Sequence, residues 1–173
     1  ETFYFLTVGS GPGKRVQPQN PVVNEPTNEV YNFEDIAYYE NDSLNLIKSG
    51  KIWYGEVFNT QLEYFFDFKL KDIDLEEPLY LKVNLAGRST TNTVFNLFAE
   101  GSQLAELDLP SIVLGSSIYA RAINSNYELF YAQDENVEVG ISFEKPGSID
   151  AGWLNYIELN FKRHLKFSGS QLS

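Results

Sequence analysis

The chain has 173 residues and a formal net charge of −11; 43% of its residues are hydrophobic, with 13 Phe and 11 Tyr among them. That length supports one domain with its own core, the acidity argues against phosphate backbones and anionic lipid as partners, and the aromatic load favours pleated sheets. With no Cys and a single His, His164, disulfides, zinc–thiolate sites and thiol catalysis are all excluded.

Residues 2–8 (TFYFLTV) read as a strand, and Glu1 opens straight into it rather than into a leader peptide. Pro12, Pro18, Pro21 and Pro26 forbid regular structure over 9–28, so a long Pro/Gly/Asn-rich loop is predicted there, an interaction arm or a linker. Residues 29–40 (EVYNFEDIAYYE) fit neither a helical nor a strand period cleanly. NDSLNLIK at 41–48 predicts one helical turn, capped by Asn41 or Asp42 and ended by Gly50.

From Lys51 onward the period is two. Leu62, Tyr64, Phe66, Phe68 and Leu70 share a face; so do Leu79, Leu81, Val83 and Leu85; so do Val137, Val139, Ile141 and Phe143; and Ile157, Leu159 and Phe161 oppose Tyr156, Glu158 and Asn160. Further strand candidates are 52–58, 93–99, 103–108, 117–123 and 126–132, joined by turn formers at 100–101, 124–126, 134–136 and 145–148. Strands with one buried and one wet face, and almost no helix, predict an all-β fold: an antiparallel two-sheet β-sandwich, jelly-roll-like, with an immunoglobulin-like connection as the alternative. The expected organisation is a strand and Pro-rich loop over 1–28, the sandwich over 29–167, and the start of a linker over 168–173, so that the chain reads as a piece of a longer one. No apolar run reaches the roughly 20 residues of a membrane-spanning helix.

Candidate chemistry is sparse. His164 has no nucleophile elbow and no spaced companions, so it reads as a strand-end histidine among basic residues. The acidic groups Glu34/Asp35, Asp72/Asp74/Glu76/Glu77 and Asp134/Glu135 lack the spacing of a calcium loop and read as solvated connections. GSGPGKR at 9–15 has the wrong glycine spacing for a phosphate loop and runs into prolines. Arg88, Arg121 and Arg163, scarce cations in an acidic chain, are expected to pair with carboxylates. Trp53, Tyr54, Trp153 and Tyr156 are the candidate ligand or partner surface, with core packing as the competing reading. No catalytic, metal-binding or cofactor residue is assigned, and no cofactor is expected.

Two phrases carry a resemblance: SGKIWYGEVF at 49–58 and GWLNYIELNFKRHL at 152–165, each read as a strand opened by a glycine turn, with weaker support from LYLKVNLAGRS at 79–89. Together they resemble the gingipain-type cysteine peptidases, in particular the sortase of type IX secretion, over residues 38–172. The resemblance implies a β-rich region that precedes an α/β peptidase domain holding the catalytic His and Cys, so no catalytic residue carries over to this chain. It further implies a non-enzymatic module that docks or positions that downstream domain, a bacterial envelope, outer-membrane-surface or extracellular location, and secretion-system proteins as partners. The alternative is a carbohydrate-binding sandwich, which requires several of Trp53, Tyr54, Trp153 and Tyr156 to share one exposed face; a hydrolase built on two carboxylates facing one cleft is a third.

Overall fold

In the computed structural model, residues 28–168 and 171–172 are described, together with positions 9, 11, 13, 16–18 and 20. The strand expected at 2–8 and most of the proline-rich loop lie outside the described residues. The period-two alternation of LYLKVNL shapes the centre of the molecule: Leu79, Leu81, Val83 and Leu85 are fully buried, while Tyr80, Lys82 and Asn84 stay at least partly exposed.

The elements are β1 (Asn32–Glu40), β2 (Val57–Phe58), β3 (Glu63–Lys69), β4 (Leu79–Arg88), β5 (Thr93–Ala99), β6 (Ser102–Leu109), β7 (Arg121–Asn124), β8 (Glu128–Phe130), β9 (Asn136–Phe143), β10 (Ala151–His164), β11 (Phe167–Ser168) and β12 (Gln171–Leu172). No helix occurs among the described residues. One sheet has the order β1–β10–β4–β7; β2 also pairs with β10, and β8 with β4. The other has the order β3–β9–β5–β6, and β11 pairs with β12 in a separate ribbon. Neighbours in both sheets are antiparallel. With β1/β2 and β7/β8 each taken as one place, the chain-order numbers read 1-8-3-6 in one sheet and 2-7-4-5 in the other, the arrangement of a jelly-roll sandwich.

Aromatic rings pack among aliphatic side chains in the space between the sheets. Phe58 meets Phe95 edge-on at 5.6 Å and 82°, and Phe95 lies 4.6 Å from Phe143. Phe58 and Phe95 are fully buried, and burial of such a ring stabilises by about 1.5–3 kcal/mol relative to exposure. Two glycines make room for them. Gly87 and Gly152 face each other across β4 and β10. A Cβ on Gly87 would stand 2.1 Å from Leu109 Cδ2, and one on Gly152 would stand 2.5 Å from Phe95 Cζ. Gly152 is therefore not the turn glycine that the sequence suggested; it lies inside β10, where the opposite sheet rests on bare backbone.

Several elements differ from the expectation. Residues 41–48 form no helical turn. Instead Leu44 and Tyr54 exchange backbone hydrogen bonds of 2.8 Å, and the Asn45 side chain accepts the Ser49 N–H at 2.8 Å and donates to the Ile52 carbonyl at 2.9 Å. These bonds close residues 44–54 into a loop, which Lys48 and Gly50 turn at positive φ. Regular pairing in 52–58 is confined to β2. Residues 29–40 hold a long edge strand, β1, whose pattern was masked because its inward side carries Phe33, Asp35, Ala37 and Tyr39 while Ile36 and Tyr38 face solvent. The segment at 124–126 does not reverse the chain: Ser125 exchanges hydrogen bonds with the Val83 backbone, so β7 and β8 run on along β4. The turn expected at 100–101 is present, with both Glu100 and Gly101 at positive φ, as a tight two-residue hairpin demands.

Replacing Gly152 with Ala forces a methyl group against the Phe95 ring. The expected outcome in urea titration is a loss of about 1–3 kcal/mol with an unchanged denaturant slope; unaltered stability would contradict the packing described.

Candidate partner-binding face

The outer face of the six-stranded sheet is organised by one extra residue. Leu154 pairs with Leu85 and Tyr156 with Asn84, so Asn155 has no opposite number. Across this bulge Leu154 and Ile157, three positions apart, both point into the core at 0% exposure, which leaves Trp153 and Tyr156 together on the outer side.

On the Trp153 side, the 44–54 loop folds over the sheet. Tyr54, Ala86, Ala151 and Trp153 form a second small buried cluster, with Leu46, Val57 and Ala120 packed on it. The Tyr119 ring lies 6.3 Å from Trp153. Between the loop and residues 117–122 runs a groove of about 590 Å³, floored by Ala86, Ala120 and Ala122 and walled by Ile47, Ile52 and Ile118.

The other side of the bulge is polar and aromatic. Tyr38 stacks on Tyr156 at 5.3 Å. The Lys82 ammonium lies 5.9 Å from the Tyr156 ring and 5.4 Å from that of Tyr127. The phenols of Tyr156 and Tyr127, with Glu158 beyond, hold that ammonium above its ordinary pKa. Beside them Asn155 donates to Asn84 at 2.8 Å and Asn84 donates to Asn124 at 2.6 Å, a chain of amides across β10, β4 and β7.

The four residues singled out from sequence therefore do not share one exposed face. Tyr54 and Trp153 are buried at 6% each, Trp53 is 41% exposed beside them, and Tyr156 is half-buried past the bulge. Tyr38, Lys82 and Tyr127 join Tyr156 in their place. Only the register of β1 and β8 against their neighbours brings these residues together, and nothing local in the sequence signals it.

At the free edges of β1 and β3, the Tyr39 hydroxyl donates to Glu56 Oε1 at 2.5 Å, and burial, followed by this bond, pushes Tyr39 up to about 12. The second Glu56 oxygen is buried without a donor among the described residues. These groups line an aromatic cleft of about 570 Å³ with Tyr38, Tyr64 and Phe66.

The acidic and basic residues near the far end of β10 hold one another. Asp72 accepts from Lys166 at 2.8 Å; Asp74 accepts from Asn32 at 3.1 Å and faces His164 at 3.9 Å; Glu77 pairs with Lys162 at 3.0 Å. Among the described residues no group of three or more His, Asp or Glu is placed to hold a metal ion. Of the three arginines, Arg163 pairs with Asp35 at 3.1 Å. Arg121 instead donates to the Ser111 carbonyl. Arg88 lies 4.6 Å from the Tyr119 ring centre, its Nε is buried without an acceptor, and it has no carboxylate partner among the described residues. Among the described residues the expected ion pairs of Arg88 and Arg121 are thus not formed, because each is directed to a ring or a carbonyl near the 111–119 connection.

No protein-family model matches the chain, and no curated protein does. Among solved structures, dimeric latent PorU from Porphyromonas gingivalis is similar, with a TM-score of 0.70 at 14% identity over 81% of this chain and 14% of that one. Carbohydrate-binding modules are similar at lower scores. The CBM36-1 domain of a multidomain xylanase from the hindgut metagenome of Trinervitermes trinervoides has a TM-score of 0.46 at 8% identity, over 79% of this chain and 99% of that one. A family 35 module from Clostridium thermocellum has 0.44 at 10%, over 75% and 98%. The likeness to PorU is one of fold, and the chain spans about 14% of PorU's length.

Asp72 is held below the usual carboxylate range chiefly by Lys166, and Asp74 chiefly by Asn32. Both therefore add stability above the unfolded carboxyl pKa of about 4, and that stability is lost as pH falls through their depressed folded values. Acid unfolding of Asp72→Asn is expected to show a shallower pH dependence below pH ~4 than the wild type; superimposable curves would show that the Asp72–Lys166 pair adds nothing.

Proposed function

We propose that the chain is a non-catalytic β-sandwich module of a gingipain-like cysteine peptidase, of the kind that serves as sortase in type IX secretion, and that it docks on and positions the peptidase domain at the bacterial surface. The observation that carries this reading is the PorU fold likeness over 81% of the chain. Two features of the sequence support it. The resembling phrases fall on β10, the strand between β1 and β4, and on the loop that covers its outer face. With no Cys, the chain has no thiol nucleophile of its own, so the chemistry belongs to another domain. Outer-membrane secretion proteins are the further partners this reading implies.

A second reading, as a carbohydrate-binding module, has one observation in its favour: the Tyr38–Tyr156–Lys82–Tyr127 row beside the Asn155–Asn84–Asn124 amides. Rings and amides together suit the apolar and hydroxyl faces of a sugar. All three of these rings, however, already spend a face on a neighbouring ring or on Lys82.

Reading the gene beyond Ser173 tests the first proposal. The expected finding is an α/β domain with a catalytic His and Cys; co-expressed separately, that domain and this module should co-elute. A stop codon or an unrelated domain would overturn the proposal, and retention of the isolated module on neutral polysaccharide, lost in Tyr156→Ala, would put the second reading in its place.

A further inference from the structure

The geometry points to the alanine-floored groove on the Trp153 side of the bulge as a docking site for a short apolar segment of a partner protein that carries a carboxylate. The inference rests on the groove's own chemistry and holds whether or not the module belongs to a peptidase.

Small side chains open the groove. Trp153, Ala86 and Ala122 lie in register across β10, β4 and β7, and the two alanines leave the outer face low where the neighbouring row carries Asn84 and Asn124. The walls are apolar and wet: Ile47, Ile52 and Ile118 are 65%, 50% and 43% exposed. These three β-branched side chains line one groove of about 590 Å³, so an apolar segment seated there would remove all of them from water together.

Charge decides the occupant. The lining includes Lys51 and no carboxylate. A smaller cavity of about 110 Å³ adjoins it through Ile118 and Tyr119, and Arg88 lies in its wall. Near the far end of β10 the cations are matched by carboxylates, Lys162 with Glu77, Arg163 with Asp35 and Lys166 with Asp72, while Lys82, Arg121 and Lys145 are met by rings, a carbonyl and an asparagine. At the groove, Arg88 and Lys51 have no carboxylate partner among the described residues, and Arg88, like Arg163, keeps a buried Nε–H without an acceptor. A buried donor without an acceptor is costly, and a carboxylate is the acceptor a guanidinium binds best. A neutral or basic segment would leave that donor unmet. The acidity of the rest of the molecule opposes an acidic ligand only weakly here, because exposed charges are largely screened beyond about 8 Å at physiological salt.

The test uses two dyes of like shape, anionic anilinonaphthalene sulfonate and uncharged phenylnaphthylamine, as fluorescent probes of the folded protein. Both are expected to bind at one site and to be excluded by Ala122→Trp, which fills the floor. Arg88→Gln is expected to weaken the anionic dye about ten-fold or more while changing the neutral dye less than about two-fold. A short peptide of leucine and aspartate should displace both dyes, and its leucine–lysine counterpart should not. If Ala122→Trp fails to fold, Ile118→Glu replaces it and should repel the anionic dye more than the neutral one. Equal loss of both dyes in Arg88→Gln, no effect of either variant, or displacement by the lysine peptide alone would overturn the inference.

Discussion

The antiparallel β4–β10 pair carries the structure, and its decisive feature is the unpaired Asn155. β10 borders β1 and β2 on one side and β4 on the other, so its register is passed to the whole six-stranded sheet. A strand with strict alternation would place Trp153 and Ile157 on one face and Leu154 and Tyr156 on the other. The extra residue reverses the alternation once. Leu154 and Ile157 both reach the core, and both large aromatic residues are directed outward. Each sheet could be built without this irregularity, but the outer face would then lose either its covered tryptophan or its tyrosine row.

The bulge also divides that face by chemistry. Toward Trp153 the sheet is apolar and roofed by the 44–54 loop, with a groove where alanines keep the floor low. Toward Tyr156 it is flat, with rings, amides and one cation held between two phenols. The inner face depends on a matching economy of side chains: Gly87 and Gly152 lie opposite one another so that Leu109 and Phe95 of the second sheet can close onto backbone. One pair of strands thus sets both how tightly the sheets meet and what the molecule presents to a partner.

Much of the fold was legible in the sequence, because inward alternation in β3, β4, β5 and β9 is uninterrupted and each of these strands buries its apolar side against the opposite sheet. Legibility failed where tertiary context outweighed local pattern. Residues 41–48 look like a capped helical turn, but pairing of Leu44 with Tyr54 and burial of Tyr54 against Trp153 draw them into a loop. β1 hid its period because it is an edge strand with Asp35, paired to Arg163, on its inward side. The surface residues were the least legible. Tyr54 and Trp153 have the composition of a binding surface and the environment of a core; Tyr38 and Tyr127, distant in sequence from Tyr156, meet it or its lysine neighbour only through sheet register. Arg88 gave no sign of lacking a carboxylate partner among the described residues, since that depends on where the 111–119 connection lies.

Tryptophan fluorescence tests the bulged register and the covered end of the outer face together. Trp53→Phe leaves Trp153 as the sole tryptophan of the chain. If Trp153 lies beneath Tyr54 and the 44–54 loop, its emission is blue-shifted and acrylamide quenches it several-fold less than free tryptophan. Red-shifted emission with full quenching in a folded protein would contradict the arrangement from which the groove and the tyrosine row both follow.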